Sequence, residues 1–219
     1  MIEEIRKYYK LLIKPTDGYV SRYINRRISI PITLVIIRYK IPLTPNQVSF
    51  ISFLIGLAAS LAYILESPLL AGVLVQLSSI IDGVDGELAR LLGKQSRLGA
   101  FIDALLDRLA NIAIIASLAY FIATNIHYPA SLTLIVSLLA ISGDLMVSYI
   151  HARGEASLGI HPSKIGKIRN FASRDVRLFI IFIGTVIRAY FETLLIVSIL
   201  SYVYVIAKSI EVFFSVHES

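Results

Sequence analysis

The chain has 219 residues, 56% of them hydrophobic and only 16% charged, with a mean hydropathy of +0.75. Soluble domains run at about 45–50% apolar and about a quarter charged, so this composition excludes an ordinary soluble domain and points to one bilayer-embedded domain. The absence of cysteine removes disulfides and thiolate metal sites from consideration. A net charge of +6 raises nucleic acid as a partner. However, the basic residues gather between apolar runs, which is the pattern of membrane topology.

In chain order, residues 1–45 are mixed and basic. The first seven, Met1 to Lys7, lack the basic-then-apolar layout of a cleavable signal peptide. From Tyr19 to Tyr39, Tyr23, Ile24, Ile28, Ile30, Ile32, Val35 and Ile36 alternate with Arg22, Arg26, Arg27, Arg38 and Lys40. That spacing predicts an amphipathic helix lying in the membrane interface. Residues 46–214 then read as the membrane domain, in six apolar spans. The spans run from about Asn46 to Leu65, Leu69 to Leu91, Leu98 to Ala123, Ala130 to Ile150, Asp175 to Ile187, and Tyr190 to Phe214. The fifth is short for a span. The expected fold is an all-α membrane protein of six transmembrane helices plus an N-terminal amphipathic interfacial helix. The segments that would face the cytoplasm hold the basic N-terminal region, Arg90, Lys94, Arg97 and the cluster from Arg153 to Arg177, whereas the outer turns hold Arg188 alone. By the positive-inside bias both termini are expected in the cytoplasm of a multi-pass cell-membrane protein.

Within the second and third spans lie Asp82, Asp85, Asp103 and Asp107. A carboxylate at bilayer depth costs a few kcal/mol on insertion scales, so four unpaired ones would cost on the order of 10 kcal/mol. Any one of them can pair with Arg90, Arg97 or Arg108, but the arrangement of all four asks for more. Spacings of three and four residues put each pair on one helix face, and the two pairs lie at similar depth on adjacent antiparallel helices. Gly83, Gly86 and Ala89 on one helix, with Gly99, Ala100 and Ala104 on the other, permit close approach. Two divalent cations would cancel the four charges, and all-oxygen ligation points to Mg²⁺ or Mn²⁺ rather than zinc. Glu87 points off the Asp face and reads as interfacial.

The string Asp82-Gly83-Val84-Asp85-Gly86-Glu87-Leu88-Ala89-Arg90, followed by Gly99, Asp103 and Asp107, resembles the signature of the CDP-alcohol phosphotransferase family without departure. Thr44-Pro45-Asn46 at the start of the first span is similar to the family as well. The resemblance implies transfer of a phosphoalcohol from a CDP-alcohol to an acceptor hydroxyl, with release of CMP. It implies that Asp82, Asp85 and Asp103 ligate two metal ions, that Asp107 contributes to the metal site and acts as general base, and that Asp82, Gly86, Arg90 and Asn46 hold the cytidine nucleotide. It also implies a homodimer.

After the fourth span, Arg153, Lys164, Lys167, Arg169 and Arg174 are candidates for binding the phosphate of an acceptor, set against a purely topological role for the same charges. Arg153 and Arg174 are the preferred two, each expected at a helix terminus. The run from Lys14 to Ser29, the stretch Ser78 to Asp85, and Ala172 to Arg177 look like the branch that joins CDP-inositol to inositol 1-phosphate, the di-myo-inositol-phosphate-phosphate synthases. That branch often carries a fused cytidylyltransferase domain, absent from these 219 residues. A separate cytidylyltransferase, or the rest of a longer chain, would then supply the donor. The runner-up is a phospholipid synthase taking a CDP-linked lipid and inositol phosphate, that is, an archaetidylinositol- or phosphatidylinositol-phosphate synthase. A divalent-cation transporter would need acidic residues continuing to the outer face. They stop, save for Asp144 in the fourth span, which reads as a structural hydrogen-bonding group. Partners are thus the lipid bilayer and the two alcohol substrates, with no nucleic acid.

Overall fold

A computed structural model describes residues 8, 9, 11–13 and 17–217; the N-terminal signal-peptide reading falls on residues 1–7, outside the described residues. Those residues are helical with no strand. A π-helical turn, Ser21–Asn25, leads into α1 (Arg26–Arg38). The long helices are α2 (Pro45–Ile64), α3 (Pro68–Leu91), α4 (Arg97–Asn125), α5 (Ala130–Leu158) and α7 (Tyr190–His217), with the shorter α6 (Arg174–Val186) between the last two. All five long helices are long and apolar enough to cross a bilayer.

Local chemistry sets the boundaries. Thr44 opens α2 with a capping box: its hydroxyl accepts the Gln47 N–H while the Gln47 side chain accepts the Thr44 N–H, and Pro45 stands at the first helical position. Pro68 stands at the first position of α3, where Ser67 makes no side-chain cap. Ser96 caps α4 by accepting the Gly99 N–H at 2.9 Å.

The expected fifth span appears as α6, only 13 residues long, or about 20 Å at 1.5 Å per residue. It falls short of a bilayer because it begins at the depth of the aspartates. Arg174 at its first turn touches Asp82, and Thr185 near its end packs on Gly72 at the far end of α3. The fourth span runs on through Leu158, so Arg153 stands inside α5 rather than at its terminus.

Helix α2 packs on α3 and α4, α5 on α7, and α6 on α3 and α7. Lipid is as apolar as leucine, so close packing rather than the hydrophobic effect holds such helices together. Gly56 lies against Ala110, and the buried seam gathers Ala59, Tyr63, Val75, Ile114, Leu118 and Leu194. Outward-facing positions such as Leu54, Leu61, Leu134, Leu138, Ile199 and Ile206 form an apolar exterior.

Helix α1 packs on α3 and is amphipathic as expected, but its buried stripe is largely polar. Ile24, Ile28 and Val35 are exposed, whereas Asn25, Arg26, Ser29 and Thr33 are buried. The reason is Glu87. It does not sit at the interface: it is fully buried and accepts hydrogen bonds from Arg26 (2.6 Å), Ser29 (2.6 Å) and Thr33 (2.5 Å). A carboxylate in an apolar helix needs partners, and α1 supplies them. Burial alone would lower the pKa of Arg26, but Asp17 and Glu87 overrule it and leave it raised.

Candidate metal centre and its two cavities

Helices α3 and α4 each pack on α2 rather than closely on each other as expected, Gly83 facing α1 and Gly99 facing Asn46, and across the space between them Asp82, Asp85 and Asp103 come together. Each offers one oxygen, all within 4.8 Å of one another. Asp85 is further held by the Ser49 hydroxyl of α2 and by the Gly86 N–H. Asp107, one turn beyond Asp103, is turned aside. Its carboxylate meets Arg174 at 3.1 Å and Arg108 at 3.7 Å. Arg174 also pairs with Asp82 at 2.8 Å and donates to Asn111 at 3.2 Å. The guanidinium thus spans both acidic helices from the first turn of α6.

Behind this layer lies a second charged group. Arg177 bonds Asp144 at 2.7 Å, both 2% exposed, and Asn111 donates to Asp144 at 2.9 Å. Asn111 therefore joins the two layers. Arg108 bridges them as well, donating to Ser148 and standing 3.9 Å from Asp144.

Two cavities border the carboxylates. The larger, about 470 Å³, is lined by Asn46, Ser49, Asp85, Gly86, Arg90, Gly99 and Asp103, with Pro45, Ala89 and Ala100 among its apolar walls. Gly99 is needed there, because a Cβ would come within 3.1 Å of the Asn46 amide oxygen and 2.9 Å of the capping Ser96 hydroxyl. Arg90 lines this cavity and also donates to the Leu12 carbonyl at 3.3 Å. The smaller, about 280 Å³, lies on the Asp82 and Asp107 side and includes Arg174.

Of the residues expected at a site, Asp82, Asp85, Asp103, Asn46, Gly86 and Arg90 meet around these cavities, and Asp107 and Arg174 meet each other. Arg153, Lys164, Lys167 and Arg169 are exposed and line neither cavity. Ser49 escaped sequence reading, although its position three residues after Asn46 on one helix face was a usable signal. The Asn111 link had no such signal.

Residues 42–210 match the profile of the family described as CDP-alcohol phosphatidyltransferase. The chain belongs to this family. It is 41% identical over 152 residues to a bifunctional IPC transferase and DIPP synthase of Thermococcus kodakarensis, covering 67% of this chain and 33% of that protein. A protein of the same description from Archaeoglobus fulgidus is 38% identical over 196 residues, covering 85% and 37% respectively. The chain thus spans about a third of the length of these bifunctional relatives. The archaetidylinositol phosphate synthase of Pyrococcus horikoshii is 34% identical over 169 residues, covering 77% of this chain and 83% of that protein. Among solved structures, the Mycobacterium tuberculosis phosphatidylinositol phosphate synthase with CDP-DAG bound superposes with a TM-score of 0.71 at 26% identity, covering 86% of this chain and 95% of that one. The same enzyme in complex with manganese and citrate gives 0.70 at 25% identity.

In this metal-dependent family the carboxylate triad fits a divalent ion on its own geometry. The donors are all oxygen, three converge, and Asp82 Oδ1 is buried without a hydrogen-bond partner. Like charges at that spacing repel unless a cation lies between them.

Proposed function

We propose that this chain transfers a phosphoalcohol from a CDP-alcohol, CDP-inositol in the first instance, to a hydroxyl of inositol 1-phosphate and releases CMP. One observation carries the reading: the convergent Asp82, Asp85 and Asp103 stand between two cavities, so a nucleotide on one side and an acceptor on the other would meet at a shared metal layer. The similarity to bifunctional IPC transferase and DIPP synthases favours the soluble donor.

In this reading Mg²⁺ or Mn²⁺, two ions per site, is held by Asp82, Asp85 and Asp103, with Asp107 completing the set. When bound, the ions polarise the diphosphate and stabilise the charge on the leaving oxygen. Asn46 and Gly86 receive the cytidine end in the larger cavity, and Arg90 forks onto phosphate. The acceptor hydroxyl attacks the phosphorus that bears the alcohol. A new P–O bond forms, the bond to the bridging oxygen breaks, and CMP leaves with that oxygen. Asp107 takes the hydroxyl proton. Arg174 holds Asp107 until the acceptor phosphate offers the guanidinium a better partner, and the exchange frees the base. Arg153, Lys164, Lys167 and Arg169 add a positive field at the mouth.

The Lys/Arg distribution supports termini and active site on the cytoplasmic side. The family resemblance supports a homodimer. The greater length of the bifunctional relatives supports a donor made by a cytidylyltransferase, whether as a separate protein or as part of a longer chain.

The second reading, a phospholipid synthase, draws on the similarity to archaetidylinositol phosphate synthase and on the fold shared with an enzyme holding CDP-DAG. One experiment separates the two. Purified protein receives CDP-inositol or a CDP-linked lipid, each with inositol 1-phosphate and Mg²⁺, and CMP release is measured. CMP from CDP-inositol alone supports the first reading, and CMP from the lipid alone replaces it with the second. Chelation with EDTA is expected to stop either reaction.

A further inference from the structure

The smaller cavity has an unusual wall. Every residue lining it is Asp, Asn, Arg, Ser or Gly, with no apolar side chain among them. Its outer wall comes from Asp17, Gly18, Ser21 and Asn25, which precede the family-matched residues 42–210, and closes against Ser173 and Asp175 at the start of α6. Asp175 accepts the Ser21 N–H at 2.5 Å, and Gly18 lies so close to Ser173 and Asp175 that no Cβ would fit.

Ser173 is out of keeping with its position. It is the N-cap residue of α6, where a serine ordinarily accepts a backbone N–H, yet its hydroxyl makes no capping bond. The residue is 8% exposed, and its Oγ is buried without a partner on the side facing Gly18. A buried hydroxyl left unsatisfied opposes folding, and a ligand hydroxyl at this wall would satisfy it.

We propose that this wall, centred on Ser173, is a polyol subsite that reads the ring hydroxyls of the acceptor alcohol. The proposal rests on the transferase reading above and names what that site selects. An acyl chain finds no apolar surface here. A phosphate against this wall is opposed by Asp175, which already occupies the first turn of α6 where an anion would settle. Hydroxyl groups suit the lining, donating to carboxylates and accepting from Ser173 and arginine. The volume of about 280 Å³ lies at the small end of ligand pockets, which matches a single ring. The acceptor's phosphate then points to Arg174, and the reacting hydroxyl to Asp107.

The test compares wild type with Ser173→Ala, in detergent with Mg²⁺. Isothermal titration of inositol 1-phosphate measures acceptor binding without turnover, and CMP release measures the reaction with inositol 1-phosphate or glycerol 3-phosphate as acceptor. Ser173→Ala is expected to weaken inositol phosphate binding about fivefold, the worth of one neutral hydrogen bond, and to raise its KM by the same factor. The donor KM should stay unchanged, and any turnover of glycerol 3-phosphate should fall less than that of inositol 1-phosphate, so selectivity narrows. Because the variant removes an unpartnered hydroxyl, its Tm should hold or rise by about 2–4 °C. Unaltered inositol phosphate binding, or an equal loss with both acceptors, overturns the subsite. Absence of CMP release by wild type with every donor overturns the transferase reading instead, while the titration still decides the subsite.

Discussion

Two groups of carboxylates stand on the helices of one bundle and behave in opposite ways. Glu87 and Asp144 are each matched: Glu87 by Arg26, Ser29 and Thr33, and Asp144 by Arg177 and Asn111. Asp82, Asp85 and Asp103 converge on one another beside two cavities, and each group holds one buried oxygen without a hydrogen-bond partner, Asp144 Oδ2 in the first and Asp82 Oδ1 in the second. The difference teaches what distinguishes a structural acid from a functional one in a membrane. Placement on the apolar helices is common to both groups. Both groups draw partners from the protein, Arg174 on Asp82 and Ser49 on Asp85 in the second; convergence of like charges on open space marks the second alone.

The comparison breaks most sharply through activity. Asp107→Asn removes the proposed proton acceptor while keeping shape, and turnover is expected to fall by about 10²–10⁴-fold. CDP-alcohol binding, followed by titration of the donor, should be largely retained. Turnover close to wild type would return Asp107 to the structural group.

The converse experiment removes a satisfied acid. Glu87→Ala leaves Arg26 and two hydroxyls without their shared acceptor, and loss of one member of a buried pair costs about 3–5 kcal/mol. Thermal denaturation in detergent should show that loss, whereas Asp85→Asn, which relieves repulsion, should hold or raise Tm in EDTA. Mn²⁺ binding followed by electron paramagnetic resonance should reverse the order: Asp85→Asn abolishes it, and surviving folded Glu87→Ala keeps it. Equal behaviour of the two variants in both measurements would erase the distinction.

How much of this was legible in the sequence follows the same line. Helix boundaries were readable because hydropathy, Thr44-Pro45 and Ser67-Pro68 act locally, and the Asp motif was readable because its spacings place side chains on shared faces. Glu87 was misread because its partners stand 54–61 positions away on α1, and no local pattern announces them. The length of α6 was obscured because hydropathy cannot show that a helix begins at mid-depth, where Arg174 needs Asp82 and Asp107. Nothing in the sequence singles out Ser173, and the absence of a capping bond from its hydroxyl is visible only in three dimensions.

The smallest expected effect concerns the basic residues around that site, where sequence treated Arg153 and Arg174 alike. Arg174 is held between two carboxylates and lines the smaller cavity, whereas Arg153, Lys164, Lys167 and Arg169 are exposed. An exposed charge acts on a phosphate through water and salt, and its effect fades beyond a Debye length of about 8 Å at physiological ionic strength. Replacing Arg153 or Lys167 by alanine should therefore change the acceptor KM by about twofold or less, with the change vanishing at high salt. Arg174→Ala removes a buried, forked contact, so its larger rise in acceptor KM should persist in high salt. If Arg153→Ala shows a salt-resistant loss as large as that of Arg174→Ala, the acceptor phosphate binds at the outer basic cluster. Arg174 would then serve only to neutralise Asp82 and Asp107.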